Sequence, residues 1–226
     1  LSILMLLSSV INAQKQEGWK KLFNEKNLNG WEVLNGKAEF KIQNGSIVGI
    51  SKLNTPNTFL ATKKMYGDFI LEWEWLLLDE GGNSGVKYFV KENPDKSGSY
   101  AYGLEYQMLD DVRHEWMLQG KMQANDFHTT GALYEFFPPT PEKKLKPLGE
   151  FNQSKIISNG PHVEHWLNGI KVVEYVRGGE AFMEMKAKSK FKDRPEFGLH
   201  QEGHIVLQDH QSKVGFRNIR IKVLEE

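Results

Sequence analysis

The chain reads as an all-β protein, an antiparallel β-sandwich with one short helix. Three observations predict this. Apolar residues alternate with polar ones over many short stretches, which is the period of a half-buried strand. Turn signals built on Gly, Asn and Pro recur between those stretches. Helical spacing holds over one segment only, from Glu180 to Lys190. At 226 residues, with a hydrophobic share of 39%, the chain can bury a sandwich core as a single domain.

Residues 1–13 are expected to be a signal peptide, and residues 14–226 the folded domain. The apolar run carried by Ile3, Leu4, Met5, Leu6 and Leu7 is too short to span a bilayer, and Ala13 offers a small residue for cleavage. The expected location is therefore outside the cytoplasm, periplasmic or extracellular. There is no Cys, so disulfides, thiolate nucleophiles and Cys metal sites are excluded. Lys+Arg 29 against Asp+Glu 29 leaves no net charge, which argues against a nucleic-acid partner or an anionic membrane surface.

The elements follow in order. Gly18 to Phe23 opens the domain as a short strand. Trp31 to Leu34 and Ala38 to Ile42 flank Asn35-Gly36, a type I′ hairpin signal, and Asn44-Gly45 repeats it before Ser46 to Ile50. Pro56 and Asn57 mark a loop. Asp68 to Leu78 is the strongest strand: Phe69, Leu71, Trp73, Trp75 and Leu77 share one face, and Ile70, Glu72, Glu74 and Leu76 the other. Gly81 to Gly85 is a tight turn, and Val86 to Val90 resumes a strand. Asn93-Pro94 and Ser97-Gly98 make a loop. Tyr102 to Leu109 alternates again, with Gly103, Glu105 and Gln107 opposite Leu104, Tyr106 and Met108.

Val112 to Asn125 reads as a long loop with a helical turn. Gly131 to Phe137 reads as a strand, with His128 just before it. Asn168-Gly169 centres a hairpin from Val163 to Tyr175. In the helix, Phe182, Met185 and Ser189 form the packing stripe, and Pro195 stops the segment that follows. Two strands close the chain around a turn at Gln211 to Lys213. In the first, Ile205, Leu207 and Asp209 point one way, and Val206, Gln208 and His210 the other.

A Gln and a His side by side on a strand face mark Gln208 and His210 as site candidates, although a half-exposed polar face would look the same. No P-loop, GxGxxG, HExxH or GxSxG occurs, so phosphate, dinucleotide, zincin and hydrolase-elbow chemistries have no motif, and no nucleotide cofactor is expected.

Several motifs in one order carry a resemblance. They are Gly18-Trp19 with Leu22-Phe23-Asn24; Leu28-x-Gly30-Trp31; Asp68-Phe69 leading to Glu72-Trp73-Glu74; Asn83-Ser84-Gly85-Val86; Glu105-Tyr106-Gln107; Gly131-Ala132-Leu133-Tyr134; His165-Trp166-Leu167-Asn168-Gly169; and Leu207-Gln208-Asp209-His210 with Phe216-Arg217-Asn218-Ile219. The chain resembles the 3-keto-disaccharide hydrolase family of secreted, largely bacterial proteins on a concanavalin-A-like jelly-roll sandwich. One departure is that the family usually has an Arg shortly after the Asn-Ser-Gly strand, and here Lys87 and Lys91 are the nearest basic residues.

The resemblance implies cleavage of 3-keto-glycosides. A 3-keto group acidifies the neighbouring C2–H, so a base removes that proton, the C1 substituent leaves, and water adds. Such a site needs a base, an acid and donors to the enolate oxygen. It also implies a separate sugar oxidoreductase that makes the substrate. The expected catalytic residues are Glu105 and His210, with His128 as a further candidate. Asn83, Gln107, Tyr134 and Gln208 are expected to bind substrate, and a carboxylate at Glu105 walled by Trp and Tyr would have its pKa raised. His128, Glu105 and His210 could also form a three-ligand site for a divalent cation, but no pair has helical i, i+4 spacing, so the cofactor stays open. His165 is expected to be a structural, hydrogen-bonded core residue. Two alternatives remain at this point: a lectin-like carbohydrate-binding module without an acid–base pair, and an ordinary glycosidase using two carboxylates among Glu72, Glu74 and Glu105.

Overall fold

A computed structural model describes residues 18–50, 57–92 and 101–224. The expected signal peptide, the loop at Pro56 and the loop at 93–98 lie outside these residues. Among the described residues, thirteen strands and two helices follow one another: β1 (Trp19–Lys21), β2 (Trp31–Asn35), β3 (Glu39–Gln43), β4 (Ser46–Ile50), β5 (Thr58–Tyr66), β6 (Phe69–Leu77), β7 (Asn83–Glu92), β8 (Ala101–Leu109), α1 (Glu115–Leu118), β9 (Asn152–Asn159), β10 (His162–Leu167), β11 (Ile170–Val176), α2 (Glu180–Lys188), β12 (Gly203–Asp209) and β13 (Val214–Val223). They build two antiparallel sheets. One runs β11-β10-β9-β6-β13-β4-β3, with β1 also on β13; the other runs β2-β5-β12-β7-β8.

The core lies between the sheets. From the larger sheet it takes Phe69, Leu71, Trp73 and Trp75, the predicted apolar face of β6, together with Ile156 and Ile221. From the smaller it takes Leu60, Val86, Tyr88, Leu104, Tyr106, Ile205 and Leu207. The outer face of β6 carries its two acids, and each meets an Arg directly opposite on β13: Glu74 with Arg217 and Glu72 with Arg220. A second small apolar cluster, Phe59, Ala61, Val90 and Val206, sits on the outer face of the smaller sheet. Val206 belongs to that cluster while Ile205 and Leu207 belong to the core, so the alternation read along β12 holds.

Three expectations change. Asn35-Gly36 is not a hairpin, because β2 and β3 belong to different sheets. Gly36, at φ 86°, lets the chain cross over against Thr58; a Cβ there would lie 2.0 Å from Thr58 Oγ1. Residues 131–137 are not a regular strand. Gly131 and Glu135 both have positive φ, and Leu133 and Phe137 exchange backbone hydrogen bonds of 3.0 Å in a closed turn. That turn still docks on the edge of β8: Gln107 N donates to Ala132 O, and Tyr134 N to Glu105 O. Third, the turn at Gly81 ends earlier than read, because β7 already begins at Asn83. The helical turn expected in the 112–125 loop forms as α1. The Asn44-Gly45 and Asn168-Gly169 hairpins form as read, all four residues having positive φ. The helix α2 buries Phe182, which stacks on Phe136 and Tyr175 and so fixes α2 over the 131–137 turn.

Candidate functional site

A cavity of about 210 Å³ opens on the outer face of the smaller sheet. β8 brings Glu105 and Gln107 to it, β12 brings Gln208 and the following His210, and β7 brings Asn83 and Lys87. Tyr134 comes from the docked turn, and Lys190 and Phe191 from the chain leaving α2. Glu105, Gln107 and Gln208 are 8%, 3% and 7% exposed, so this sheet face is covered rather than solvated. Strand alternation is what puts them here: each stands one residue from a core side chain, and the sheet has only one other face.

Glu105 is the centre of the arrangement. Its Oε2 lies 3.3 Å from Lys87 Nζ, and both side chains are nearly buried. Lys87 Nζ also sits 5.1 Å from the Phe59 ring centroid. The carboxylate lies flat against β7 because residue 85 is Gly: a Cβ there would come within 2.5 Å of Glu105 Oε1. The wall facing Glu105 is thus an ammonium as well as aromatic rings, which differs from the purely aromatic wall expected. Gln107 turns its Oε1 to the Met108 N–H at 3.1 Å. Gln208 Oε1 is buried and has no hydrogen-bond partner among the described residues. An unmet buried acceptor costs about 1–3 kcal/mol, which a hydroxyl entering the cavity would recover.

Tyr134 Oη accepts from Lys190 Nζ at 2.9 Å. Burial pushes the Tyr134 hydroxyl up, and it stays raised although Lys190 pulls it down. His210 is exposed at the mouth. His128 does not line the cavity. It stands behind Tyr134, ring centroids 5.1 Å apart, and its Nδ1 and Nε2 face Asp126 at 2.8 Å and Glu135 at 3.4 Å. Burial pulls the His128 imidazole down, but these two carboxylates outweigh it and leave the pKa raised. The three-ligand set that His128, Glu105 and His210 could have formed is not assembled, and no cluster of three or more His, Asp or Glu side chains suited to a metal occurs among the described residues.

His165 is fully buried, as the structural reading expected. Its Nδ1 lies 3.0 Å from Gly131 O and its Nε2 2.8 Å from Tyr88 Oη, which in turn is 2.7 Å from Tyr175 Oη. A carbonyl only accepts, so Nδ1 carries the hydrogen, Nε2 accepts from Tyr88, and Tyr88 accepts from Tyr175. Burial lowers the imidazole to about 4. The chain of bonds ends on Gly131, whose turn carries Tyr134.

Sequence reasoning misses Lys87 and Lys190 as site residues. Lys87 stands out along the chain only as a departure from the family pattern, and Lys190 lies 56 residues from Tyr134 with no local signal.

A larger cavity, about 500 Å³, lies on the opposite side of the sandwich, with Glu72, Glu74 and Arg220 among its lining residues. Two of its acids, Glu72 and Glu74, are paired to arginines, and no His is among its lining residues, so volume does not decide the site. The same placement separates Glu72 and Glu74 from Glu105 by the full thickness of two sheets. Neither can therefore flank one cleft with Glu105, as a two-carboxylate glycosidase built on Glu105 requires; Glu72 and Glu74 share a cavity, but each is held by an arginine.

The comparisons with known proteins agree with this architecture. A 3-keto-disaccharide hydrolase of Bacteroides thetaiotaomicron is 30% identical over 235 residues, spanning 96% of this chain and 78% of the relative. A crystal structure from Parabacteroides distasonis, provisionally assigned as a glycosyl hydrolase, is 34% identical, covers 94% of this chain and 97% of its own, and superposes with a TM-score of 0.82. A Bacillus licheniformis β-glucanase shares the fold alone, at 8% identity and a TM-score of 0.50, covering 92% of this chain and 97% of its own. The sandwich is thus of the jelly-roll glucanase type. Residues 18–222 match the model of the 3-keto-alpha-glucoside-1,2-lyase-like domain, and the chain belongs to that family.

Proposed function

We propose that this protein cleaves 3-keto-glycosides by elimination and hydration at the Glu105 cavity. The observation that carries the reading is the convergence of Glu105, His210 and the unpartnered Gln208 Oε1 on one covered cavity. A lectin needs amides and aromatics but no such acid–base pair. The name of the Bacteroides relative supports the same substrate class.

In this reading one member of the Glu105–His210 pair takes the C2 proton of the oxidised sugar. The C2–H electron pair delocalises into the 3-carbonyl, giving an enolate. Lys87, 3.3 Å from Glu105, and the Lys190–Tyr134 pair are the cationic and hydroxyl donors placed to hold negative oxygen. As the enolate collapses, the C1–O bond breaks and a double bond forms between C1 and C2. The departing oxygen takes a proton from the other member, and His210 at the mouth is suited to that role. Water then adds at C1 and returns a proton to C2. Asn83, Gln107 and Gln208 hold the hydroxyls. His128 orients Tyr134 from behind. The protein is exported and acts on the product of a separate sugar oxidoreductase.

The test is to incubate the protein with a disaccharide and with its 3-keto form and measure monosaccharide release. Release from the oxidised sugar alone, with C2 deuterium lost to ordinary water, is expected. Glu105→Gln keeps the shape but cannot carry the proton, and should lower turnover about 10²–10⁴-fold. Full activity of Glu105→Gln, or complete retention of C2 deuterium, would refute the mechanism.

A further inference from the structure

The cavity is small for its proposed substrate. At about 210 Å³ it lies below the usual range of roughly 300–1,000 Å³ for ligand pockets, and it can enclose one pyranose ring rather than two. This inference rests on the reading above in taking a two-sugar substrate, so the second ring must lie outside the cavity. The surface beside the mouth is not uniform. A row of rings leaves it on one side: Tyr134 in the cavity wall, His128 with its centroid 5.1 Å away, and Trp116 a further 5.8 Å from His128.

Trp116 sits in α1 and is 39% exposed, an unusual state for the largest apolar side chain. Its ring touches its neighbours near right angles, His114 at 81° and His128 at 89°. The loop that presents it is built to hold it still. Asp110, directly after β8, accepts at its carboxylate from the N–H groups of Gly81, Val112 and Arg113 at distances of 3.1, 3.1 and 3.0 Å. The His114 side chain caps the helical turn through Trp116 N, and Trp116 O accepts from both Lys121 N and Met122 N. Met122, at the end of that hydrogen bond, is buried. A loop held this firmly has no structural need to leave its Trp in water, and Val112 and Leu118 on the same loop are exposed as well, at 68% and 74%.

The side of the mouth is also identified. Leu109, from which the Trp116 loop leaves β8, pairs with Asn83 of the cavity wall, and Ser84 beside Asn83 donates to Gln208 O, two residues before His210; the charge of His210 also helps lower the His114 imidazole, after burial as the larger cause. The Trp116 loop therefore lies at the His210 side, where the departing oxygen receives its proton. We propose that Trp116 is the platform for the leaving sugar, a second subsite in which the apolar C–H face of a pyranose packs on the indole. Tyr and Trp suit this because they offer broad contact area at low entropic cost.

The experiment compares wild type, Trp116→Ala and Trp116→Phe on two substrates: a 3-keto-disaccharide and the 3-keto methyl glycoside, which has no second ring. Trp116→Ala should lower kcat/KM about three- to tenfold for the disaccharide, as expected for loss of one aromatic contact. It should leave the methyl glycoside unchanged, and Trp116→Phe should recover part of the loss. Equal losses on both substrates, or no loss on either, would overturn the subsite. A binding measurement separates this from failure of the mechanism. Calorimetric titration with the unoxidised disaccharide and with methyl glucoside needs no turnover. Tighter binding of the disaccharide that vanishes in Trp116→Ala supports the subsite even if no 3-keto sugar is cleaved. Equal affinity of wild type and variant for the disaccharide refutes it even if cleavage is confirmed.

Discussion

His165 makes stability depend on pH in a way that can be worked out. The imidazole is fully buried and its folded pKa is about 4, against about 6.5 in an unfolded chain. Between those values the unfolded chain binds a proton and the folded one does not. Stability is therefore fully present above pH 6.5 and is lost as pH falls towards 4. At about 1.4 kcal/mol per tenfold, the loss is about 3 kcal/mol by pH 4. Burial explains why the folded state refuses the proton: a charged imidazole would lose its hydration in the core, and its bond to the Gly131 carbonyl offsets only part of that cost. The assay is urea unfolding at several pH values between 7.5 and 4.5, for wild type and for His165→Phe. The variant should be less stable at neutral pH, because Gly131 O and Tyr88 Oη lose their partner. Its stability should fall less steeply with acid, by up to about 1.4 kcal/mol per pH unit in this window. Taking the difference between the two proteins removes the other histidines. Parallel curves would refute the reasoning.

Further outcomes follow from the site. Gly85→Ala should keep the fold and lower turnover by about tenfold or more, because the new Cβ displaces the Glu105 carboxylate; misplacement by about 1 Å can cost 10²-fold. Circular dichroism with steady-state kinetics checks it. Lys87→Met leaves the Glu105 carboxylate buried without its cation and should destabilise by about 3 kcal/mol in chemical unfolding, with loss of activity. The raised pKa of His128 makes its clamp on Asp126 and Glu135 complete below about pH 6.5 and lost as pH rises through the folded value. Hydrogen exchange of the Thr129–Tyr134 amides should accordingly be less protected at pH 8.5 than at pH 6, beyond the intrinsic rate change, and His128→Gln should remove that difference.

The features legible along the chain are the local ones. The period-two pattern places Gln208 and His210 opposite Leu207, and Glu105 and Gln107 opposite Tyr106, because a strand allows each side chain only two directions. The same rule puts Glu72 and Glu74 on one outer face and keeps His165 with its apolar neighbours. Two Asn-Gly pairs form hairpins as read, since their backbone requirement is met within two residues. Asn35-Gly36 carries the same local signal and becomes a crossing between sheets. Which partner a strand takes depends on total burial across the sandwich, and that information is absent from the turn. The charge environment of the site comes from long-range packing. Lys87 faces Glu105 through cross-strand register, and Lys190 reaches Tyr134 only because Phe182 anchors α2 over the turn that carries it. Packing also sets Glu72 and Glu74 two sheets away from Glu105, which no spacing along the chain could reveal. Finally, it places Trp116 beside the mouth: the loop has no periodic pattern, and its position is set by the Asp110 cap and the buried Met122, contacts whose meaning appears only once the chain has folded.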